Sequence, residues 1–145
     1  AKNYSQLGFD IPMIQSHAVS NQGFLDQVGK DGEGVLVIGS VLNVIDSISD
    51  DEQSKLIDEF ATPFIEEYGY NPGPFGGYAY DGIKMVLQAI SEGHTDSASI
   101  KEYLENISYK GVTGTYNLSP DNRNGVEGDG MAMLEVSDGG WKLAE

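Results

Sequence analysis

Gln15, Ser16 and His17 follow directly on the apolar run Ile11 to Ile14, and His17 is one of only 2 histidines in the chain. Polar side chains at the end of a strand sit where open parallel sheets bind ligands, outside the carboxyl ends of the strands. Ser40 occupies a second such place, after Gly39 and the run Val35-Leu36-Val37-Ile38. Phe75, Tyr78 and Tyr80 make a third concentration around the loop-like stretch "GYNPGPFGG". Amide, hydroxyl, imidazole and aromatic groups together suit a pocket with apolar walls and a few polar anchors, the usual way to hold a small molecule. Each tyrosine reads equally well as core packing with a hydroxyl partner.

Chemistry that would transform a molecule is harder to find. Gly29, Gly32 and Gly34 precede a strand, whereas the glycines of a dinucleotide fingerprint follow one. The sequence contains neither a phosphate-binding P-loop nor a G-x-S-x-G nucleophile elbow. Neither His17 nor His94 has a second histidine at ligand spacing, so no metal is expected, and His94 reads as a solvated loop residue. "SPDNRNGVEGDG" has the residue types of a calcium loop, but its two registers place Pro120 or Gly125 where the first acid must stand. It reads as a polar turn. The neighbouring acids Asp50-Asp51 and Glu66-Glu67 do not face each other on a helix. There is no cysteine, which removes disulfides and thiolate chemistry and fits an exported bacterial protein. No catalytic residue, cofactor or metal ligand is expected, and the chain does not read as an enzyme.

Composition narrows the partners. Twenty-three acidic residues against 8 basic ones give a net charge of −15 and a pI near 4.2. Such a surface repels a phosphate backbone or an anionic membrane, so nucleic acid is not an expected partner. A hydrophobic content of 39% over 145 residues supports one packed core of ordinary size. No run approaches the ~20 apolar residues of a membrane helix.

The elements that must position these residues alternate between helix and strand, which is the α/β rhythm. Residues 1–7 read as the end of a helix capped by Gly8, so the piece is expected to belong to something longer. Ile11 to Ile14 reads as a short buried strand. Ser20 or Asn21 caps "QGFLDQVG", which closes at Gly29. Val35 to Ile38 reads as a strand covered on both faces. Ser49-Asp50-Asp51-Glu52 is a capping box for a helix whose Leu56, Phe60, Phe64 and Tyr68 share a face, with Pro63 expected to kink or split it. Helices follow at 78–92 and 97–107, the second capped by Asp96. The tail reads as strand, long turn, strand, turn, strand, with Met131 to Val136 the strongest strand and Asp138-Gly139-Gly140 a tight turn. The expected fold is α/β with a parallel sheet and C-terminal β-hairpin segments.

The pieces "SHAVSNQGF", "GKDGEGV", "YGYNPGPFGGYAYDG", "GVTGTYNLSPDNRNG" and "SDGGWKL" occur in an order that resembles the second lobe of type I periplasmic solute-binding proteins of the branched-chain amino acid ABC transporter class. The resemblance runs along essentially all 145 residues. It implies a fragment of a two-lobed α/β clamp. Residues 1–72 would form part of ligand-binding lobe two, 73–110 helices that return to lobe one, and 111–145 strands near the last crossing together with the C-terminal strand of lobe two. It also implies an extracytoplasmic binding component, periplasmic or membrane-anchored outside a bacterial cell. Such a component takes a small amino acid or organic acid and partners a membrane permease. A ligand-sensing receptor domain of the same fold is the alternative, and a Rossmann-like enzyme domain a weaker one. Helices 78–92 and 97–107 would expose apolar faces without the missing lobe, so the fragment is expected to dimerise.

The same resemblance sharpens His17. Amino-acid-binding members often present an acidic side chain to the ligand ammonium from this loop, and here the matching place is His17. Histidine is neutral or cationic, so it suits a carboxylate or carbonyl better than an ammonium. The nearby helix start at Asn21 adds backbone N–H groups that also favour anions. The alternative is that His17 only hydrogen-bonds within its loop.

Overall fold

The structure, a computed structural model, describes residues 1–49 and 51–144. The capping box read at Ser49-Asp50-Asp51-Glu52 lies outside the described residues. Helix α1 (Lys2–Leu7) ends on Gly8, which at φ 64° donates its N–H back to the Ser5 carbonyl. Strand β1 (Ile14–Gln15) leads through a 3₁₀ turn at His17–Val19 to α2 (Gln22–Val28), where the Asn21 side chain accepts the Phe24 N–H. Strand β2 (Leu36–Ser40) is followed by a 3₁₀ segment at Val41–Ser47 and by α3 (Asp51–Tyr68). Then come α4 (Pro74–Ser91), α5 (Ser97–Leu104), β3 (Ser108–Gly111), β4 (Gly114–Asn117), β5 (Met131–Ser137) and β6 (Gly140–Leu143).

Four strands form one sheet in the order β1-β2-β5-β6. Only β1 and β2 run parallel, with Ile14 beside Leu36 and Gln15 beside Val37. Strands β5 and β6 are antiparallel additions, so the sheet is mixed where a parallel one was expected. A tight turn at Asp138-Gly139 joins them, with positive φ at both residues (53° and 75°). The Glu33 carboxylate accepts both turn N–H groups, at 3.1 and 3.2 Å. Strands β3 and β4 pair separately as a two-stranded hairpin.

Register decides which face of the main sheet is covered. Val35, Val37, Leu134 and Val136 share one face and pack with Leu25 of α2, Val44, Phe24 and Trp141. Ile14, Ile38, Met131 and Met133 project from the other face and are exposed. The unbroken apolar run at 35–38 therefore does not have cover on both faces in this chain. Nor is Ile11 to Ile14 a buried strand: pairing is confined to Ile14 and Gln15, and Ile11 and Ile14 are 65% and 60% exposed. Pro12 has no N–H to offer a ladder, which keeps the earlier residues out of the sheet.

A second core joins Leu42, Ile57, Ala61 and Val112. Helix α3 runs unbroken through Pro63. Its buried seam is Gln53, Ile57 and Ala61, one residue round from the expected stripe. Phe60, Phe64 and Tyr68 instead meet ring to ring at tilted angles beside that seam, with centroids 6.4 and 4.6 Å apart. Helix α4 starts four residues earlier than its sequence periodicity indicates, because Pro74 serves as its first residue, where the missing N–H costs nothing. Asp96 caps α5 by accepting the Ala98 and Ser99 N–H groups. His94 is not freely solvated: its ring lies 4.9 Å from that of Tyr103. The "SPDNRNG" stretch closes on itself, with the Asn122 side chain accepting the Gly125 N–H and Ser119 and Asn122 exchanging backbone bonds.

The buried stripe of α4 is Gly77, Asp81, Met85 and Ala89. Asp81 is fully buried, and its carboxylate accepts the N–H groups of Val112 and Thr113, each at 2.9 Å, and the Thr113 hydroxyl. Thr113 passes the chain of hydrogen bonds to Tyr116 at 2.6 Å. From α3, the Gln53 side chain donates to the carbonyls of Gly111 and Val112 at 2.9 and 3.1 Å. Gly111 is required there because a Cβ would collide with the Asp81 carboxylate. Two helices are thus tied to one hairpin turn by buried polar bonds.

Three predictions follow from these contacts. Asp81→Ala leaves buried donors unpaired and should lower unfolding free energy by about 3 kcal/mol, measured by urea titration. Asn21→Ala should cost about 1 kcal/mol by the same assay, through loss of the α2 cap. Tyr109, paired with Tyr116 across β3 and β4, is pushed up to about 12 by burial, with Asp81, Tyr80 and Tyr116 adding to the shift. A phenol raised in the folded state favours folding below its ordinary value near 10, and that contribution disappears as pH climbs to about 12. Alkaline unfolding should therefore begin above about pH 10, and Tyr109→Phe should flatten that part of the stability curve.

Candidate functional site

His17 stands two residues beyond β1, on the 3₁₀ turn that the strand direction delivers to the carboxyl edge of the parallel pair. The first turn of α4 reaches the same spot. Tyr78 OH lies 2.9 Å from His17 Nε2, across 61 positions of sequence. Phe75, three residues before Tyr78 and on the same helical face, meets the His17 ring edge-on at 5.2 Å and 75°. Phe75 and Tyr78 are themselves edge-on at 6.4 Å and 79°. Three of the residues singled out from sequence, His17, Phe75 and Tyr78, thus form one aromatic and polar cluster.

The cluster is half open. Phe75 is 53% exposed, which is unusual for a phenylalanine held in edge contact with two other rings. Burial, with Tyr116 nearby, holds the Tyr78 phenol above its usual range, so it remains a neutral donor and acceptor at ordinary pH. The Tyr116 phenol is also raised by burial, partly offset by its bond to Thr113, with Asp81 adding to the rise.

The other sequence-derived candidates lie elsewhere or at the margin. Gln15 is half-buried at the end of β1, and Ser16 is exposed at the start of the 3₁₀ turn, with its side chain making no cap. Ser40 is fully buried, and its hydroxyl accepts the Leu42 N–H as the cap of the 41–47 segment. Tyr80 points away from His17, as two helical positions require, since residues two apart project to nearly opposite sides. Its ring packs 4.7 Å from Phe60, with Lys84 Nζ 5.6 Å above it. Neither Ser40 nor Tyr80 joins the cluster of His17, Phe75 and Tyr78.

Asn43 supports the site in a way the sequence reading missed. Its side chain accepts the Ser40 N–H and donates to the Ser20 carbonyl at 3.1 Å, clipping the loop after β2 to the loop after β1. Asp81 was missed as well: it lies on the buried stripe Gly77, Asp81, Met85, Ala89, but the donors that fill its carboxylate are mainly backbone groups that the sequence does not mark. A separate cleft of about 560 Å³ opens between the start of α2, residues 42–47, residues 70–73 and the β5–β6 turn. It contains none of the sequence-derived candidates, and two of its amide side chains, Asn21 and Asn43, are already engaged in structural bonds. Among the described residues no group of three His, Asp or Glu side chains could hold a metal ion. Also among them, no helix is long and apolar enough to cross a membrane.

No family model and no curated protein matches the chain. Solved structures do. An extracellular ligand-binding receptor from Rhodopseudomonas palustris HaA2 superposes with a TM-score of 0.87 at 20% identity, over 99% of this chain and 43% of the receptor. A leucine-binding protein from Thermotoga maritima gives 0.80 at 19%, over 99% and 39%. A branched-chain amino acid transporter substrate-binding protein from Streptococcus pneumoniae, solved with isoleucine, gives 0.73 at 20%, over 99% and 39%. These neighbours are described as binding proteins and receptors, not as enzymes. The chain spans about two-fifths of their length, and along that span it has the mixed α/β architecture of a type I periplasmic binding fold.

Proposed function

We propose that the chain is part of an extracytoplasmic solute-binding component of an ABC transporter, which clamps a small amino acid or organic acid between two lobes and does not transform it. The observation that carries this reading is the convergence of His17 with Phe75 and Tyr78. A loop and a helix far apart in sequence bring one hydrogen-bonding pair and one exposed ring to the carboxyl edge of the parallel strands. That is where open α/β sheets place ligands. Residues 1–72 and the last strands would belong to lobe two, and the helices of 73–110 would return to lobe one. The partner downstream would be a membrane permease, and the location the periplasm or the outer face of the cell membrane. The description of some structural neighbours as extracellular ligand-binding receptors favours a second reading, a sensing domain on the same fold.

The uncovered apolar surfaces fit a two-lobed parent. Ile83, Leu87 and Ile90 form an exposed stripe on α4, and Ile14, Ile38, Met131 and Met133 an exposed face on the sheet. Contiguous apolar surface of this kind draws in a covering element. The 145-residue chain on its own should therefore self-associate, and light scattering at rising concentration should show dimers or larger species; Leu87→Glu with Ile83→Lys should shift it toward monomer.

The function itself is tested on the full-length protein by small-angle scattering with a mixed library of small solutes. A ligand-dependent fall in radius of gyration, with no turnover of the solute, is the expected result. Chemical conversion of a bound solute would refute the reading.

A further inference from the structure

We infer that the His17–Tyr78 pair receives a carboxylate, and that the solute this site takes is a small apolar acid lacking an ammonium group. The inference rests on the solute-binding reading above and names the class of solute.

The argument begins with the hydrogen bond between His17 Nε2 and Tyr78 OH. Either atom can be the donor. If the phenol donates to Nε2, the neutral imidazole keeps its proton on Nδ1, and that N–H is left over. If Nε2–H donates, the phenol O–H is left over. In both arrangements the pair retains one unused donor, which asks for an acceptor from outside. A carboxylate takes such a donor more strongly than a neutral carbonyl does, since a charge-assisted bond is about twice as strong as a neutral one, and the bare Phe75 ring beside the pair suits the hydrocarbon body of a carboxylic acid better than a phosphate.

The surroundings favour the same group. Among the described residues no Asp or Glu side chain bonds His17, Phe75 or Tyr78, so this cluster offers an ammonium no bonded counter-charge. The exposed Phe75 ring beside the pair offers apolar contact to the body of the solute. An acid with a short hydrocarbon or phenyl body matches a donor pair flanked by one bare ring. The chain's net charge of −15 opposes approach of any anion, so the recognition must be local to the pair.

The test uses the full-length protein and three solutes that share one hydrocarbon body: leucine, leucinamide and 4-methylpentanoate, the last being leucine without its amino group. Benzoate and benzamide repeat the comparison with a ring. Calorimetry should find 4-methylpentanoate bound at least tenfold more tightly than leucinamide and more tightly than leucine, and benzoate at least tenfold more tightly than benzamide. His17→Ala should weaken the acid by about 10- to 100-fold, the cost of losing a hydrogen bond to a charged group. Tyr78→Phe, which keeps the ring, should weaken it severalfold, and both variants should melt at the parent temperature. Tighter binding of leucine or leucinamide overturns the inference, since the site would then be reading an ammonium, whether by the aromatic rings or from the other lobe. Acid binding that is unchanged in both variants overturns it too, as does failure of every acid in the panel. In each of these cases closure around some other solute in the scattering experiment leaves the solute-binding reading standing.

Discussion

The buried carboxylate of Asp81 is the constraint on which the rest of the arrangement depends. It is surrounded by donors from one turn of chain, the N–H groups of Val112 and Thr113 and the Thr113 hydroxyl. A buried charge is tolerated only when its acceptor positions are filled, and each donor held here is one that the tight β3–β4 turn could not satisfy within its own ladder. The bond set therefore works in both directions: the hairpin needs the carboxylate, and the carboxylate holds α4 to the hairpin. Gln53 of α3 donates to the carbonyls of the same turn, so three elements meet at one polar knot inside an apolar setting. Because Asp81 lies one turn from Tyr78, seating α4 at this knot also sets the height of Tyr78 and Phe75 above the sheet.

From that seating the candidate site follows. The loop after β1 brings His17, and the first turn of α4 brings Phe75 and Tyr78. Their meeting is a product of how the helix is anchored, not of any local sequence preference. Tyr116 extends the knot through its bond to the Thr113 hydroxyl. Asn43 does the corresponding work on the sheet side by joining the loops after β1 and β2. A frame held by such bonds needs little ordering on binding, which suits the solute-binding role proposed above.

The same frame leaves two apolar surfaces bare, one on α4 and one on the main sheet. They explain a mismatch between pattern and burial. The run at 35–38 has the composition of a strand covered on both sides, yet only Val35 and Val37 are buried deeply. Ile38 belongs to a surface suited to a further layer, and the structural neighbours are more than twice as long as this chain. Composition in this case signals more cover than the described residues supply.

Local rules were readable directly. Gly8, Asn21, Asp96 and the Asp138-Gly139 turn were legible because caps and tight turns are made by residues within four positions of one another. The alternation of helix and strand, and with it the fold class, was legible from hydrophobic period. His17, Phe75 and Tyr78 could be named as candidates from their places beside strand and helix ends. What sequence could not say is that these three meet while Ser40 is sealed into a cap and Tyr80 turns toward Phe60. Register in the sheet and the rotation of α4 decide that, and both are set by contacts between residues 30 to 100 positions apart. Burial of Asp81 is of the same kind: its partners are two backbone N–H groups and a hydroxyl 31 and 32 residues away, and backbone groups carry no signature in the sequence.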